Sequence, residues 1–342
     1  MKRLLILLAA ATGVLLVVAT FAAIRMHGFL HTPVAVDDSG LEFEIVSGTS
    51  FRAVSDDLEQ RGIISDSLMF RLYARWKGQA GNVHAGDYLI KAGTTPVELL
   101  QQFTSGAVRL YSFTIIEGWN QWDLLAALHE HPHIDAELTD EDWPAFLEEL
   151  GAGDIRHPEG LFLPETYRFP RNSSDREVLA QAYSLMQSVL AEEWSNRASD
   201  AAVTTPYEAL ILASIVEKET ARADERARIS GVFTRRLGKR MRLQTDPTVI
   251  YGIGREFNGN LTRKDLRTDT PYNTYTRRGL PPTPIAMPGR DAIHAALHPA
   301  PGEELFFVAT GLGDGSHAFS VTKEQHDDAV ADYLRRLRNQ RQ

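Results

Sequence analysis

The 342-residue chain carries 36 Lys and Arg against 45 Asp and Glu, a net charge of −9, with 43% hydrophobic residues and no cysteine. Its length accommodates two domains with cores of their own, and its composition is that of an ordinary globular chain. The missing cysteines exclude disulfide scaffolds, cysteine-ligated metal sites, thiol nucleophiles and cysteine-acylated lipoproteins, and the acidic balance argues against a nucleic-acid partner, which needs a surplus of Lys and Arg on one face.

From Leu4 to Ile24 there are 21 residues without a charge, behind Lys2 and Arg3 and ahead of Arg25. As a helix this stretch is ~31 Å long, the thickness of a bilayer's hydrocarbon core. Residues 1–25 therefore read as a cytoplasmic tip and a single-pass anchor through residues 4–24, with Lys2 and Arg3 holding the N-terminus inside. A cleaved signal peptide is the alternative, but its apolar region usually spans roughly 7–15 residues before an Ala-x-Ala-like site. Here the run is longer and the site weak. Without Lys2, Arg3 and Arg25 the remainder has 33 basic against 45 acidic residues, net −12. An acidic, cysteine-free body behind one anchor suggests a bacterial periplasmic or cell-surface protein.

Residues 26–41, including HTPVAVDDSG (His31–Gly40), read as a linker. Beyond them a repeat emerges when glycines are aligned. Ile45, Gly48, Val54 and Leu58 match Ile90, Gly93, Leu99 and Phe103, and again Ile115, Gly118, Leu124 and Leu128. Each copy predicts a strand end, a Gly turn and one face of a short helix, with Ser50, Thr95 and Asn120 as N-caps. LysM carbohydrate-binding modules are small αβ units of this kind, and GDYLI (Gly86–Ile90) resembles their closing strand. A generic βα packing unit without a ligand is the alternative.

Leu138–Leu150 reads as an exposed acidic helix. In the following stretch, Glu159–Tyr167, apolar residues crowd around Glu165, which is either a substrate ligand or part of a capped turn. Thr205-Pro206-Tyr207-Glu208 is a helix start with a capping box. The helix it opens is expected to run through EALILASIVEKETARADERARISGVFTRRL (Glu208–Leu237), apolar all round between Ala209 and Val216 and hence buried. Two acids lie within it, Glu217 and Glu219, ~200° apart around the axis, so they cannot face each other as an acid/base pair. Glu219 follows Ile215, Val216, Leu212 and Ile211, the bulkier apolar face. Desolvation there raises a carboxyl's pKa and keeps it protonated, as a general acid requires. A buried structural glutamate paired with Lys218 or Arg222 fits the pattern as well.

Two later segments, Met241–Gly254 and Thr270–Gly289, concentrate Asn, Gln, Thr, Asp and Tyr among Pro and Gly. Such surface suits sugar rings, with their hydroxyl edges and C–H faces; a set of well-packed turns is the alternative. Gly252-Ile-Gly254 is too incomplete for a dinucleotide site. His129, His131 and His133 read as a solvated loop. His294 and His298 have the i, i+4 spacing of zinc ligands but no evident third ligand, so neither metal nor cofactor is implied. Arg335, Arg336, Arg338 and Arg341 read as the solvated face of a terminal helix.

The segments ASIVEKET (213–220), RLQTDPTVIYG (242–252), YNTY (272–275), GLPPTPIAMPG (279–289) and HPA (298–300) together resemble the endolytic murein transglycosylase family, MltG or YceG-like. The likeness covers nearly the whole chain. It implies an α+β protein with one N-terminal transmembrane helix, a small LysM-like subdomain over 42–112 and a larger mixed catalytic domain over 113–342. It also implies an inner-membrane enzyme with its catalytic domain in the periplasm. That enzyme would cleave MurNAc–GlcNAc bonds in nascent glycan strands, leave 1,6-anhydro-MurNAc ends, terminate strand elongation and contact peptidoglycan synthases. The family's catalytic glutamate falls on Glu219. Gln244, Thr245, Asp246, Tyr251, Tyr272, Asn273 and Tyr275 are then expected to hold the sugar, with Glu217 also at the substrate and Glu165 and Tyr167 on the opposite wall. A non-catalytic wall-binding scaffold and a muramidase-type hydrolase are the competing expectations.

Overall fold

The computed structural model describes the backbone of residues 2–340 and side chains from residue 9 onward; the side chains of Lys2, Arg3 and residues 4–8 of the apolar run, and Arg341 of the tail, lie outside the described residues. Two compact units are formed, one of Met1–Tyr111 with Arg168–Asn172 and one of Ser112–Tyr167 with Ser173–Gln342.

In the first unit, α1 (Lys2–His31) is followed by β1 (Leu41–Ile45), α2 (Phe51–Gln60), α3 (Ser67–Trp76), β2 (Gly86–Ile90) and α4 (Pro96–Thr104). Strands β1 and β2 pair antiparallel, with Phe43 opposite Tyr88. The glycine repeat has a direct physical origin. Gly48, Gly93 and Gly118 take φ of 80°, 83° and 79°, a left-handed turn that a Cβ would disfavour. Two residues on, Ser50, Thr95 and Asn120 cap α2, α4 and α5 (Gln121–Glu130) with their side-chain oxygens. The paired apolar residues Val54 and Leu58, Leu99 and Phe103, and Leu124 and Leu128 are all buried. Phe103 stacks on Phe43 at 5.9 Å and meets Tyr88 edge-on at 4.7 Å.

Residues 26–41 are not the linker their composition suggests. Helix α1 continues to His31, Phe29 and Val34 are buried in the first unit's core, and Met26, Leu30 and Val36 pack against it. The Val34 and Ala35 amides donate to the carbonyls of Thr94 (2.7 Å) and Ile63 (3.0 Å). Apolar residues at helical spacing outweigh the polar ones, because burying them removes apolar surface from water. The Asp, Ser and Gly residues mark only the turn at 37–40, closed by Gly40 N–H to Asp37 C=O at 3.0 Å. Over Ala9–His31, α1 is long and apolar enough to cross a membrane.

After β3 (Leu110–Thr114) and α5, the chain forms β4 (Ile134–Asp135), α6 (Trp143–Glu149), β5 (Thr166–Pro170), β6 (Ser173–Ser174) and α7 (Asp175–Ser195). It continues with α8 (Pro206–Glu219), α9 (Ala223–Gly238), α10 (Asp246–Ile253), α11 (Arg263–Arg267), α12 (Arg290–Leu297), β7 (Phe306–Ala309), β8 (His317–Ser320) and α13 (Lys323–Gln340). Among the described residues the strands pair only in twos: β1 with β2, β3 with β5, β4 with β6 and β7 with β8. The protein is thus mixed α/β, with helices supplying most of the second unit. Helix α6 is shorter than the acidic stretch suggested and is not simply exposed, since Trp143, Phe146 and Leu147 are buried.

Helix α8 is the centre of the second unit. Residues Ala209–Val216 are all at most 4% exposed, and α7, α9, α10 and α12 pack around the helix. Thr205 accepts the Glu208 amide and Pro206 occupies the first turn. The long helix expected through Leu237 is interrupted: Thr220 is extended, with φ −148° and ψ 134°, and its hydroxyl accepts the Arg222 amide at 3.0 Å. A local side-chain bond of this kind competes with the helical ladder. Glu219 is therefore the last residue of α8.

Replacing Phe103 with Ala in the first unit should lower stability by about 3–5 kcal/mol, measurable as a shift in the denaturant midpoint.

Candidate active site

Glu219 is half-buried at the C-terminal end of α8. Burial pushes its pKa above the ordinary carboxylate value and Asp246 adds to this, while the Thr245 hydroxyl, His317 and Arg236 act in the opposite sense. The unpaired carbonyls at a helix C-terminus also disfavour a negative charge. Its one hydrogen-bond donor among the described residues is Thr245 Oγ1, at 2.7 Å. The cations named as structural partners are engaged elsewhere. Lys218 Nζ donates to the Gly118 carbonyl at 2.9 Å, and Arg222 pairs with Asp224 at 2.7 Å. Among the described residues, Glu219 is thus a desolvated acid without a countercharge in ion-pairing reach.

Thr245 is held in place from several sides. Its amide donates to the Thr274 hydroxyl at 3.2 Å and its carbonyl accepts the Thr248 hydroxyl at 2.8 Å. Just before it, the buried Arg236 guanidinium donates to the Leu243 carbonyl at 2.7 Å. Gln244, between these anchors, takes φ of 53° and exposes its side chain. Asp246, the first residue of α10, accepts from the Tyr275 hydroxyl at 2.5 Å.

Glu217 has a different task. Its side chain is only 6% exposed and burial raises its pKa too, so the helical contrast between the two acids is weaker than the sequence suggested. Their partners separate them. Glu217 accepts the Gly289 amide at the start of α12 (3.0 Å) and lies 3.8 Å from Arg226. A Cβ at Gly289 would fall on the Glu117 side chain, which would have to move aside. Both acids line a hollow bounded on one side by Gly118 and Lys218.

Lys218 also lines a second hollow of about 450 Å³, with Trp122, Pro247, Ile250, Tyr251 and Phe257 as its apolar surface and Asn120, Asp123 and Arg255 among its polar groups. Trp122 stacks on Tyr251 at 5.5 Å, and Tyr272 meets Tyr251 edge-on at 5.0 Å. Beneath them is an acid that sequence reasoning missed. Glu159 is fully buried; its Oε2 accepts from the Tyr251 hydroxyl at 2.9 Å and the Gln121 amide at 3.0 Å. Oε1 has no hydrogen-bond partner among the described residues. Burial pushes the Glu159 pKa up to about 8. The signal was present in the same stretch as Glu165: an acid directly before a Gly and an unbroken apolar run.

The other expected residues divide. Thr245 contacts Glu219, and the Tyr275–Asp246 pair lies close enough to influence it; Tyr251 lines the second hollow, and Tyr272 packs against Tyr251. Asn273 instead is fully buried, its amide donating to the carbonyls of Asp265, Leu266 and Thr268 and its oxygen accepting the Tyr275 amide. Tyr167 is buried and donates to the Leu163 carbonyl at 2.6 Å. Glu165 is exposed and accepts the Thr166 amide at 3.3 Å, as a capped turn does. Neither Glu165 nor Tyr167 lines either hollow. The third group that His294 and His298 lacked in the sequence is Glu193 of α7, with candidate ligand atoms of all three within 4.8 Å. These side chains already fasten α12 to α7, His294 to Glu193 and His298 to the Asn196 carbonyl, each at 2.8 Å. The tract at 129–133 forms no such cluster among the described residues.

A family model described as the YceG-like family matches residues 43–332. The chain is 31% identical over 310 residues to the endolytic murein transglycosylase of Bacillus subtilis (strain 168), covering 86% of this chain and 85% of that protein. It is 27% identical over 322 residues to the protein of the same name from Streptococcus pneumoniae serotype 2 (strain D39), covering 85% of this chain but 58% of that relative's length. The crystal structure of a YceG-like protein from Listeria monocytogenes matches with a TM-score of 0.51 and 27% identity, over 85% of this chain and 99% of that one.

Glu159 makes the second unit pH-sensitive in a defined direction. Between its unfolded pKa of about 4.5 and its folded value of about 8, the folded state holds a proton that the unfolded state has lost, so stability falls as pH rises through that window. Glu159→Gln should flatten this part of the stability profile, as measured by thermal unfolding from pH 5 to pH 9.

Proposed function

Because the chain belongs to the YceG-like family, we propose that it is a lytic transglycosylase that cuts peptidoglycan glycan strands between MurNAc and GlcNAc, with Glu219 as its acid. The observation that carries this reading is the state of Glu219: desolvated, unpaired by any cation among the described residues, and open to a hollow. Hydrolytic glycosidases normally need two carboxylates, one of which is the nucleophile or activates water. A transglycosylase needs no water, since the C6 hydroxyl of the muramyl sugar attacks its own C1. Glu219 protonates the glycosidic oxygen, then as carboxylate takes the C6 hydroxyl proton, and a 1,6-anhydro end results. Intramolecular attack gains a high effective molarity when the sugar is held in the reactive conformer. Thr245 orients the acid, and the Trp122–Tyr251–Tyr272 surface offers aromatic contact to a neighbouring sugar.

We assign residues 113–342 to catalysis and residues 42–112 to a LysM-like glycan-binding part; the strand–helix–helix–strand order of β1, α2, α3 and β2 supports the latter. The apolar α1 serves as an inner-membrane anchor with its N-terminus in the cytoplasm and the rest of the chain in the periplasm. Nascent strands are the substrate and strand termination the outcome. Contact with peptidoglycan synthases is carried over from the family resemblance alone.

Glu219→Gln should reduce release of anhydro-ended glycan by about 10²–10⁴-fold, while Glu217→Gln acts mainly on folding. Mass spectrometry of the products decides, because anhydro ends and the reducing ends of a hydrolase differ by one water. Wild-type product from Glu219→Gln would remove that residue from the chemistry, and binding without any product from the wild-type chain would favour a scaffold. Thr245→Val removes a bond that favours the ionised acid, so the alkaline limb of the pH–rate profile should move to higher pH.

A further inference from the structure

Helix α3 has two apolar faces. One is satisfied by the first unit: Phe70, Tyr73 and Ala74 are buried in its core. The other is not. Leu68, Leu72 and Trp76 follow at i, i+4 and i+8, a single stripe along the helix, and are 57%, 49% and 78% exposed. An exposed tryptophan in line with two exposed leucines is costly in water and needs a reason.

The surroundings identify what covers this stripe. Leu72, Tyr73 and Trp76 line a hollow together with Ala23, Met26, His27 and Leu30 of α1. Ala23 lies at the end of the uncharged run and Met26, His27 and Leu30 just beyond it, where about the length that fills a bilayer core is used up. The far end of α1 and the outer stripe of α3 thus form one continuous apolar surface. Trp76 is of a residue type enriched where a membrane meets water. Arg75 and Lys77 are exposed beside it, with Lys77 Nζ 5.2 Å from the Trp76 ring, placed as cations suited to lipid headgroups.

We propose that α3 lies on the membrane surface, with Leu68, Leu72 and Trp76 entering the headgroup and upper acyl region beside the emerging α1. This rests on the reading of α1 as a membrane span. It makes the first unit a lipid-bound platform rather than a domain raised into solvent.

The absence of cysteine in the chain gives a clean test. Single cysteines replace Leu16 in α1, Leu72 in α3 and, as a water reference, the exposed Asp328 in α13; each carries an environment-sensitive fluorophore in the full-length protein. The proteins are reconstituted in phosphatidylcholine–phosphatidylglycerol vesicles containing no other protein. The Leu72 label should be blue-shifted, quenched by lipids spin-labelled high on the acyl chain, and protected from aqueous iodide by about twofold or more relative to Asp328. Trp76→Phe should remove the lipid-quenchable part of the intrinsic fluorescence. A Leu16 label at the bilayer centre with Leu72 and Trp76 as water-accessible as Asp328 overturns the proposal alone and points to a protein partner for the stripe. A Leu16 label outside the bilayer overturns the spanning reading and the proposal with it.

Discussion

Outside a membrane, a helix that is apolar on every side needs protein around it, and the second unit is arranged around that demand. Helices α7, α9, α10 and α12 cover α8 along its length, and the helix ends where the cover opens. Glu219 occupies that end. Its desolvation is therefore a by-product of wrapping the helix, and its accessibility a by-product of ending it.

Three carboxyl groups of this unit, at Glu159, Glu217 and Glu219, are held above their ordinary pKa by burial. Desolvation does not distinguish them; hydrogen bonding does. Glu217 is tied to the first amide of α12 and to Arg226, so its carboxylate is a fastening. Glu159 supports Tyr251 from below and is sealed from solvent. Glu219 alone combines burial with an opening and a single hydroxyl donor. A low-dielectric interior magnifies such differences, because each missing partner is felt in full.

Local features of the chain were legible in its sequence because they have local causes. The three Gly turns and their caps depend on residues within a few positions of one another, and the buried character of α8 follows from eight consecutive small or apolar residues. Most of what eluded the sequence depends on distance, though one local feature eluded it too. The break at Thr220 is a contest between a side-chain bond and a helical one, which composition does not decide. Asn273 looked like a sugar ligand because an exposed and a buried amide read alike in a sequence, and only the carbonyls of α11 reveal its use. Glu159 gains its importance from Tyr251 and Gln121, remote in the chain. The apparent linker misled for the opposite reason: its polar residues are conspicuous, whereas Phe29 and Val34, which decide its fate, are few.

The packing of α1 into the first unit removes a freedom that a tethered domain would have. A domain on a flexible leash samples a hemisphere of orientations at variable height. Here, turning the unit about the helix axis would tear Phe29 and Val34 out of the core they help to form. The unit is fixed in azimuth and elevation with respect to its own helix, as a blade is to its shaft. With α1 as the anchor proposed above, such a unit would travel laterally at a level set by the position of Phe29 along α1 rather than by any spacer downstream.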